Sequence, residues 1–182
     1  AALAGHAVYY HRVGTPQSQD TLVYERKDLP RWVIDASVTE DGRYLLITMA
    51  EGAENKNKLY VADMGDPKAP KVTAPIRPLF EANDAEYAPI GNMGSTLFVR
   101  SDKGAPNRIV AAIDLNHSGP LAMTTIVPER KEAIENVAII GGRLVARQES
   151  IDARGAVVER LAGRDGQWIV WCGLNSERER VA

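Results

Sequence analysis

The chain has 182 residues, of which 45% are hydrophobic and 25% are charged, and its formal net charge is -2. This balance is ordinary for a soluble globular protein, and it provides no electrostatic attraction to nucleic acid or to a membrane surface. No stretch approaches the length of a transmembrane helix, and the single cysteine, Cys172, excludes an internal disulfide framework and a cysteine-rich zinc site.

The elements predicted along the chain are all short β-strands separated by turn formers. Asp41-Gly42 and Gly141-Gly142 are hairpin signals of this kind. No segment of ten or more residues has a convincing apolar period of 3.6, so we expect helix to be absent or confined to a turn near residues 129–135. The predicted strands comprise residues 8–12, 21–25, 32–38, 44–49, 58–63, 79–80, 86–90, 96–100, 108–114, 124–127, 134–140, 143–146 and 156–161.

Three stretches of the chain repeat one pattern at a spacing of about 50 residues. Each stretch places a glycine ahead of a β-rich apolar run, at residues 42–47, 94–99 and 142–146. A second strand follows each run after a polar turn. The repeated unit is therefore a sheet of short antiparallel strands, and a period of roughly 40 to 50 residues is typical of four-stranded propeller blades.

The length of the chain limits how much of a propeller it contains. At roughly 45–50 residues per blade, about three and a half blades fit, whereas closed propellers typically have 4–8. An open arc would leave sheet edges and apolar blade faces unprotected. We therefore predict an all-β fold of about three to four antiparallel propeller blades, belonging to something larger.

The sequence lacks the signature of a hydrolytic site. A serine hydrolase needs a nucleophile, a base and an oxyanion hole, which G-x-S-x-G on a strand-turn-helix elbow often announces. The nearest approach is Met93-Gly94-Ser95-Thr96, which we interpret as a hairpin turn because no helix is predicted after it. The chain therefore offers no catalytic residue of its own.

Metal and cofactor chemistry are likewise not indicated. His6, His11 and His117 are not spaced like ligands on one helix face or on adjacent strand positions. The acidic and amide-rich loop at residues 51–57 lacks the spacing of an EF-hand, and turn chemistry explains it. Trp32, at a strand start, is predicted to pack in the core more readily than to line a pocket. We expect no metal and no cofactor.

The order of several motifs closely resembles the propeller domain of the prolyl oligopeptidase family. The Tyr9-Tyr10 pair, His11 and the turn at residues 14–18 form the most specific part of this resemblance. The resemblance continues through most of the chain and weakens after about Gln167. We therefore expect a partial β-propeller at residues 1–167 and a divergent C-terminal tail at residues 168–182. The resembling segments comprise residues 8–20, 30–32, 41–47, 108–114 and 127–129.

The resemblance implies a cytoplasmic serine endopeptidase that cleaves short peptides after proline. In that family a seven-bladed propeller caps an α/β-hydrolase domain, which carries the Ser-Asp-His triad and would lie in the same protein. Short proline-containing peptides are then the implied partners, and a secreted or periplasmic parent remains open. The family also places propeller side chains near the bound peptide, and the matching positions are Val33, Ala50 and Ala53. These are small apolar residues, so blade packing is an equally good interpretation of them.

A different class of function also fits the sequence. The chain could be a stand-alone β-propeller-like interaction module that binds a protein partner through its loops, without catalysis. An independent hydrolase lacks every motif that it would need. A nucleophile elbow downstream of Ala182 would favour the enzyme over the interaction module.

Overall fold

The computed structural model of the protein describes residues 5–117, 121–140 and 143–148. Within these ranges the chain forms twelve β-strands and one short 3₁₀-helix, Gln17–Gln19. The all-β prediction is therefore confirmed. The strands are β1 (Ala7–Tyr10), β2 (Thr21–Glu25), β3 (Trp32–Val38), β4 (Tyr44–Glu51), β5 (Lys58–Asp63), β6 (Arg77–Phe80), β7 (Tyr87–Met93), β8 (Thr96–Ser101), β9 (Ile109–Asp114), β10 (Thr124–Val127), β11 (Ile134–Ile140) and β12 (Arg143–Gln148).

The predicted strands agree with these bounds to within a few residues, but the helical turn does not lie where it was expected. It occupies Gln17–Gln19, in the connection between β1 and β2, whereas residues 129–133 are irregular and β11 begins at Ile134. Pro16 presets the extended entry to this turn, and the Gln19 and Asp20 amides close it on the Pro16 and Gln17 carbonyls. The predicted Gly141-Gly142 turn, the strand at residues 156–161 and the tail at residues 168–182 lie outside the described residues.

The chain divides into two compact units, Ala1–Tyr87 and Ala88–Ala182. In the first unit, β3 to β6 form an antiparallel meander in which sequence neighbours pair, in the order β3-β4-β5-β6. β1 and β2 form a separate two-stranded sheet. A four-stranded meander of this kind is the unit from which propeller blades are built.

One face of the β3–β6 sheet forms the core of the first unit. β3 and β4 pair without interruption from Trp32 opposite Glu51 to Val38 opposite Leu45, so alternate side chains of both strands share one face. Apolar residues of β2 cover that face. Trp32 packs against this core, as predicted. The buried members of the core are Leu45, Ile47, Met49, Tyr60, Ala62, Met64 and Ala74.

The β3–β4 hairpin depends on Gly42. Thr39 closes the turn, because its carbonyl accepts the Gly42 N–H at 2.8 Å and its amide donates to the Tyr44 carbonyl at 2.9 Å. The Asp41 carboxylate accepts the Thr39 hydroxyl at 2.7 Å and the Arg43 N–H at 3.1 Å. Gly42 has φ +73°, which a residue without a side chain adopts at little cost. The Asp-Gly signal therefore marked the turn correctly.

In the second unit, β7 to β10 form another meander, in the order β10-β9-β8-β7, and β11 pairs with β12. A core of five buried apolar side chains joins residues of both sheets. Gly91 of β7 has φ +148°, and a Cβ there would lie 3.1 Å from the Ile139 side chain, so a larger residue would crowd β11. The buried core residues are Phe98, Val110, Val127, Ile134 and Leu144.

In the part of the chain that the structure describes, no helix is long and apolar enough to cross a membrane.

Candidate functional site

The structure places Val33 and Ala50 side by side. They are directly opposite each other in the β3–β4 ladder, so their side chains share one face of the sheet. Val33 is 39% exposed. Ala50 belongs to β4, which extends two residues beyond the strand predicted at residues 44–49.

Ala53 lies three residues further along, in the exposed loop between β4 and β5. Gly52, which precedes it, has φ +61° and gives the chain its turn out of β4. The loop begins where Glu51 pairs with Trp32 and ends at Asn57, just before β5. The three residues singled out from the sequence therefore occupy one end of the β3–β6 sheet and the loop that leaves it.

The opposite face of the sheet, which carries Trp32, Lys58 and Tyr60, has a network of polar side chains near this end. Arg26 donates two hydrogen bonds to Asp28, at 2.8 and 2.7 Å, and a third to the Tyr60 hydroxyl at 3.1 Å. Tyr60 in turn donates to the Glu81 carboxylate at 3.3 Å. The Lys58 ammonium lies 5.3 Å from the centre of the Trp32 ring, within the range of a cation–π contact.

The pKa values at this end follow from these contacts. The hydrogen bonds from Arg26 hold the pKa of the Asp28 carboxyl below its usual value, and the same pairing raises the pKa of the guanidinium. Burial raises the pKa of the Tyr60 hydroxyl above its usual value, since the phenolate would lose its hydration. These groups therefore keep their ordinary charge states near neutral pH, and none of them is prepared for proton transfer.

Asn57 is the residue that the sequence analysis missed. Its side-chain amide is buried and bonds to both the N–H and the carbonyl of Tyr87, at 2.7 and 3.0 Å. A signal was present in the sequence, because Asn57-Lys58-Leu59 recurs one repeat later as Asn107-Arg108-Ile109. Recognising it would have required aligning the repeats from the strand that follows each loop.

Ser95 lies in the two-residue turn between β7 and β8. Gly94 and Ser95 connect β7 to β8, and Gly94 has φ +58°, as the first position of a type II′ hairpin turn requires. The Ser95 carbonyl accepts the Leu115 N–H at 2.8 Å. Ser95 is therefore a turn residue of the hairpin formed by β7 and β8, as interpreted from the sequence.

Among the described residues, no group of three or more histidine, cysteine, aspartate or glutamate side chains is arranged to hold a metal ion. Nδ1 of His11 lies 2.6 Å from a carboxylate oxygen of Asp20, a pairing that steadies the loop between β1 and β2. The second unit contains an open pocket of about 150 Å³. It is lined by Ala88, Pro89, Ile90, Arg100, Glu135, Asn136 and Val137.

Comparison with known proteins agrees with this architecture. Residues 2–168 match the family model described as "Prolyl oligopeptidase, N-terminal beta-propeller domain". A prolyl oligopeptidase A of Amanita bisporigera is 36% identical over 126 residues, which are 69% of this chain and 16% of the relative. A prolyl endopeptidase of Elizabethkingia miricola is 35% identical over 127 residues, 70% of this chain and 17% of the relative.

Solved structures give the same result. A chain from a structural study of two prolyl endopeptidases superposes with a TM-score of 0.82 at 32% identity, covering 94% of this chain and 24% of that one. A prolyl oligopeptidase B of Galerina marginata, bound to a 25mer macrocyclization substrate, has a TM-score of 0.76 at 26% identity and covers 92% and 23%. The predicted β-propeller is therefore confirmed as a partial one.

The chain spans about a sixth of the length of the curated relatives described above, which are 16% and 17% covered. The match to the family model nevertheless includes all of the described residues, from β1 to β12. By sequence and by fold, this chain belongs to the prolyl oligopeptidase N-terminal β-propeller family.

Proposed function

We propose that this chain is the propeller portion of a serine endopeptidase that cleaves short peptides after proline. The observation that carries the proposal is the match of residues 2–168 to the propeller domain of the prolyl oligopeptidase family, together with the TM-score of 0.82 to a prolyl endopeptidase. The catalytic groups then belong to an α/β-hydrolase domain of the same protein, and the propeller controls access to them. A cytoplasmic location is part of this proposal.

Access control follows from the mechanics of the sheets. Each antiparallel meander has its backbone groups paired along the ladder, so a strand cannot separate without breaking several hydrogen bonds at once. A flexible peptide can thread past such a scaffold, whereas a folded protein would have to unfold first. Selectivity for short peptides is then a property of entry to the site and requires no specific contact with the substrate.

We further infer that Val33, Ala50 and Ala53 lie near the bound peptide. Support comes from their grouping at one end of the β3–β6 sheet and from the exposure of Val33 and of the loop that carries Ala53. Their side chains have no hydrogen-bonding group, so they contribute shape and apolar contact only.

A chimaera tests the proposed function. Residues 1–167 of this chain would replace the matching segment of a solved prolyl endopeptidase, and the parent enzyme serves as the control. We expect cleavage of a short proline-containing chromogenic peptide to persist, while a folded protein with exposed proline loops stays intact. Cleavage of the folded protein by the chimaera alone would contradict the role in access control.

A second measurement tests where the chemistry resides. The purified chain, which has no nucleophile–base pair among its described residues, should not react stoichiometrically with a serine-directed fluorophosphonate probe. The chimaera should react at its hydrolase domain. Stoichiometric labelling of the isolated chain would show that it carries a nucleophile of its own, and would overturn the division of roles.

A further inference from the structure

The Asn57 side chain pairs with the main chain of Tyr87, the first residue of β7, much as a neighbouring strand would. Its side-chain oxygen accepts the Tyr87 N–H at 2.7 Å, and its side-chain nitrogen donates to the Tyr87 carbonyl at 3.0 Å. The same nitrogen donates to the Lys58 carbonyl at 3.2 Å, and the Asn57 backbone N–H donates to the Ala85 carbonyl at 3.1 Å. With 7% of its surface exposed, Asn57 joins the start of β5 to the connection between β6 and β7.

A related arrangement, with different partner atoms, occurs one repeat later within the second unit. The Asn107 side-chain nitrogen donates to the carbonyls of Arg130 and Lys131, at 2.9 and 3.2 Å, and the Asn107 carbonyl accepts the Ile134 N–H at 3.0 Å. Asn57 therefore links the end of the β4–β5 loop to the β6–β7 connection. Asn107 likewise links the end of the β8–β9 loop to the β10–β11 connection. We refer to Asn57 and Asn107 as the two asparagine clasps.

A basic residue follows the asparagine in both clasps and adds a further contact, to the β6–β7 connection for Lys58 and to β11 for Arg108. The Lys58 ammonium donates to the Glu81 carbonyl at 2.6 Å. The Arg108 guanidinium donates to the Glu135 carboxylate at 2.9 Å. Arg108 also has φ +70°, a strained conformation for a residue with a side chain, which persists only where the surroundings enforce it. In both repeats an asparagine followed by a basic residue therefore bonds to the chain beyond the fourth strand of the sheet, although the partner atoms differ.

The loops that the two clasps anchor differ in what they carry. Residues 52–56 are exposed and include Ala53, and a weak hydrogen bond from the Glu54 N–H to the Glu51 carbonyl, at 3.3 Å, spans the first turn. This loop is held at one end by the pairing of Glu51 with Trp32 and at the other by Asn57. The loop before Asn107 carries none of the residues inferred to lie near the peptide.

We propose that Asn57 is a positioning residue for peptide binding, because it fixes the C-terminal end of the loop at residues 52–56 and thereby the place of Ala53. This inference rests on the proposed function. Asn57 is buried and touches no peptide itself, so its effect is on affinity for the peptide and not on the chemical step. The catalytic groups, which the proposed function assigns to another domain, stay unchanged.

The experiment uses the full-length protein and the variant Asn57→Ala, with Asn107→Ala as the matched control. We measure kcat and KM for a proline-containing octapeptide, and amide hydrogen exchange of residues 52–56. Displacement of the Ala53 methyl group predicts a KM higher by roughly fourfold for Asn57→Ala, and loss of the anchoring hydrogen bonds predicts faster exchange in the loop. The kcat should stay within about twofold of the wild-type value, and Asn107→Ala should leave KM within the same margin.

Two further variants keep the test informative. Asn57→Asp preserves the acceptor for the Tyr87 N–H but replaces the donor with a carboxylate oxygen, which the Tyr87 and Lys58 carbonyls repel. It should therefore raise KM at least as much as Asn57→Ala. Asn57→Gln retains the amide with a longer side chain, and a smaller rise in KM is expected. It replaces Asn57→Ala as the test variant if the latter does not fold.

The outcomes separate the two proposals. Wild-type protein that cleaves no proline-containing peptide overturns the proposed function. If the wild type cleaves and Asn57→Ala leaves KM unchanged, or if both alanine variants raise KM equally, the positioning role alone is wrong. Unchanged exchange in residues 52–56 also overturns it, because Asn57 would then not anchor the loop.

Discussion

The turn at Gly42 gives a quantitative test of the β3–β4 hairpin. An alanine Cβ at this position would lie 2.8 Å from the Cβ of Pro67 and 3.8 Å from its Cα and Cγ. Gly52 provides the matched control, since it also has positive φ, +61° against +73° for Gly42, but a Cβ there would meet no atom within 4 Å. The pair Gly42→Ala and Gly52→Ala therefore shares backbone strain and differs in steric contact.

The magnitudes follow from these two contributions. A left-handed conformation costs an L-residue roughly 1–2 kcal/mol, which is the whole expected loss for Gly52→Ala. Carbon atoms pack best at about 3.5–4.0 Å, so Gly42→Ala must also displace the rigid Pro67 ring, at a further cost of roughly 1–3 kcal/mol. We expect Gly42→Ala to lower the free energy of unfolding by about 2–5 kcal/mol in total.

Urea denaturation of the purified chain, followed by far-ultraviolet circular dichroism, measures both losses. The double variant Gly42→Ala/Pro67→Gly removes the contacting Cβ of Pro67. Its coupling energy should therefore account for most of the difference between the Gly42→Ala and Gly52→Ala losses. Equal losses for Gly42→Ala and Gly52→Ala, or a coupling energy near zero, would show that Pro67 does not pack over the turn. Either result would refute this account of the hairpin.

The remaining predictions concern charge and association. Hydrogen bonds from Arg43 and from the Gly65 N–H hold the pKa of Asp63 below its ordinary value, so their stabilisation is present above that value and is lost as the pH falls through the lower folded-state pKa. Asp63→Asn should therefore lower the free energy of unfolding by about 0.2–1 kcal/mol at pH 7, a small loss because the ion pair is partly exposed. The difference in stability between this variant and the wild type should vanish in strong acid. A difference that persists in strong acid would rule out an ionic origin. The purified chain should self-associate at micromolar concentration, since the β1–β2 sheet exposes Tyr9 (58%) and Tyr10 (41%) beside an open edge. Removal of residues 168–182, which include the β-prone run Trp168–Leu174, should reduce light scattering. A stable, cooperative monomer would instead favour the stand-alone interaction module.

The sequence by itself determined the strands and their grouping into sheets. Trp32–Val38, Lys58–Asp63 and Ile134–Ile140 were predicted to their observed bounds, because runs of β-branched and aromatic residues bounded by turn formers are a local property of the chain. The recurrence of these strands at a constant spacing indicated propeller blades before any contact was known. The proposed boundary at residue 167 between propeller and tail remains a prediction from the same pattern.

Only the tertiary structure decided which distant groups meet. Asn57 precedes β5 and Tyr87 begins β7, and nothing local to Asn57 shows that its amide bonds to the main chain of Tyr87. Arg108 was predicted to begin a strand, yet it precedes β9 in a left-handed conformation, at the end of a turn that its N–H closes on the Ala105 carbonyl at 2.7 Å. Strand propensity acts through neighbours along the chain, whereas these contacts depend on register and on the path of each connection, which are fixed when the sheets pack.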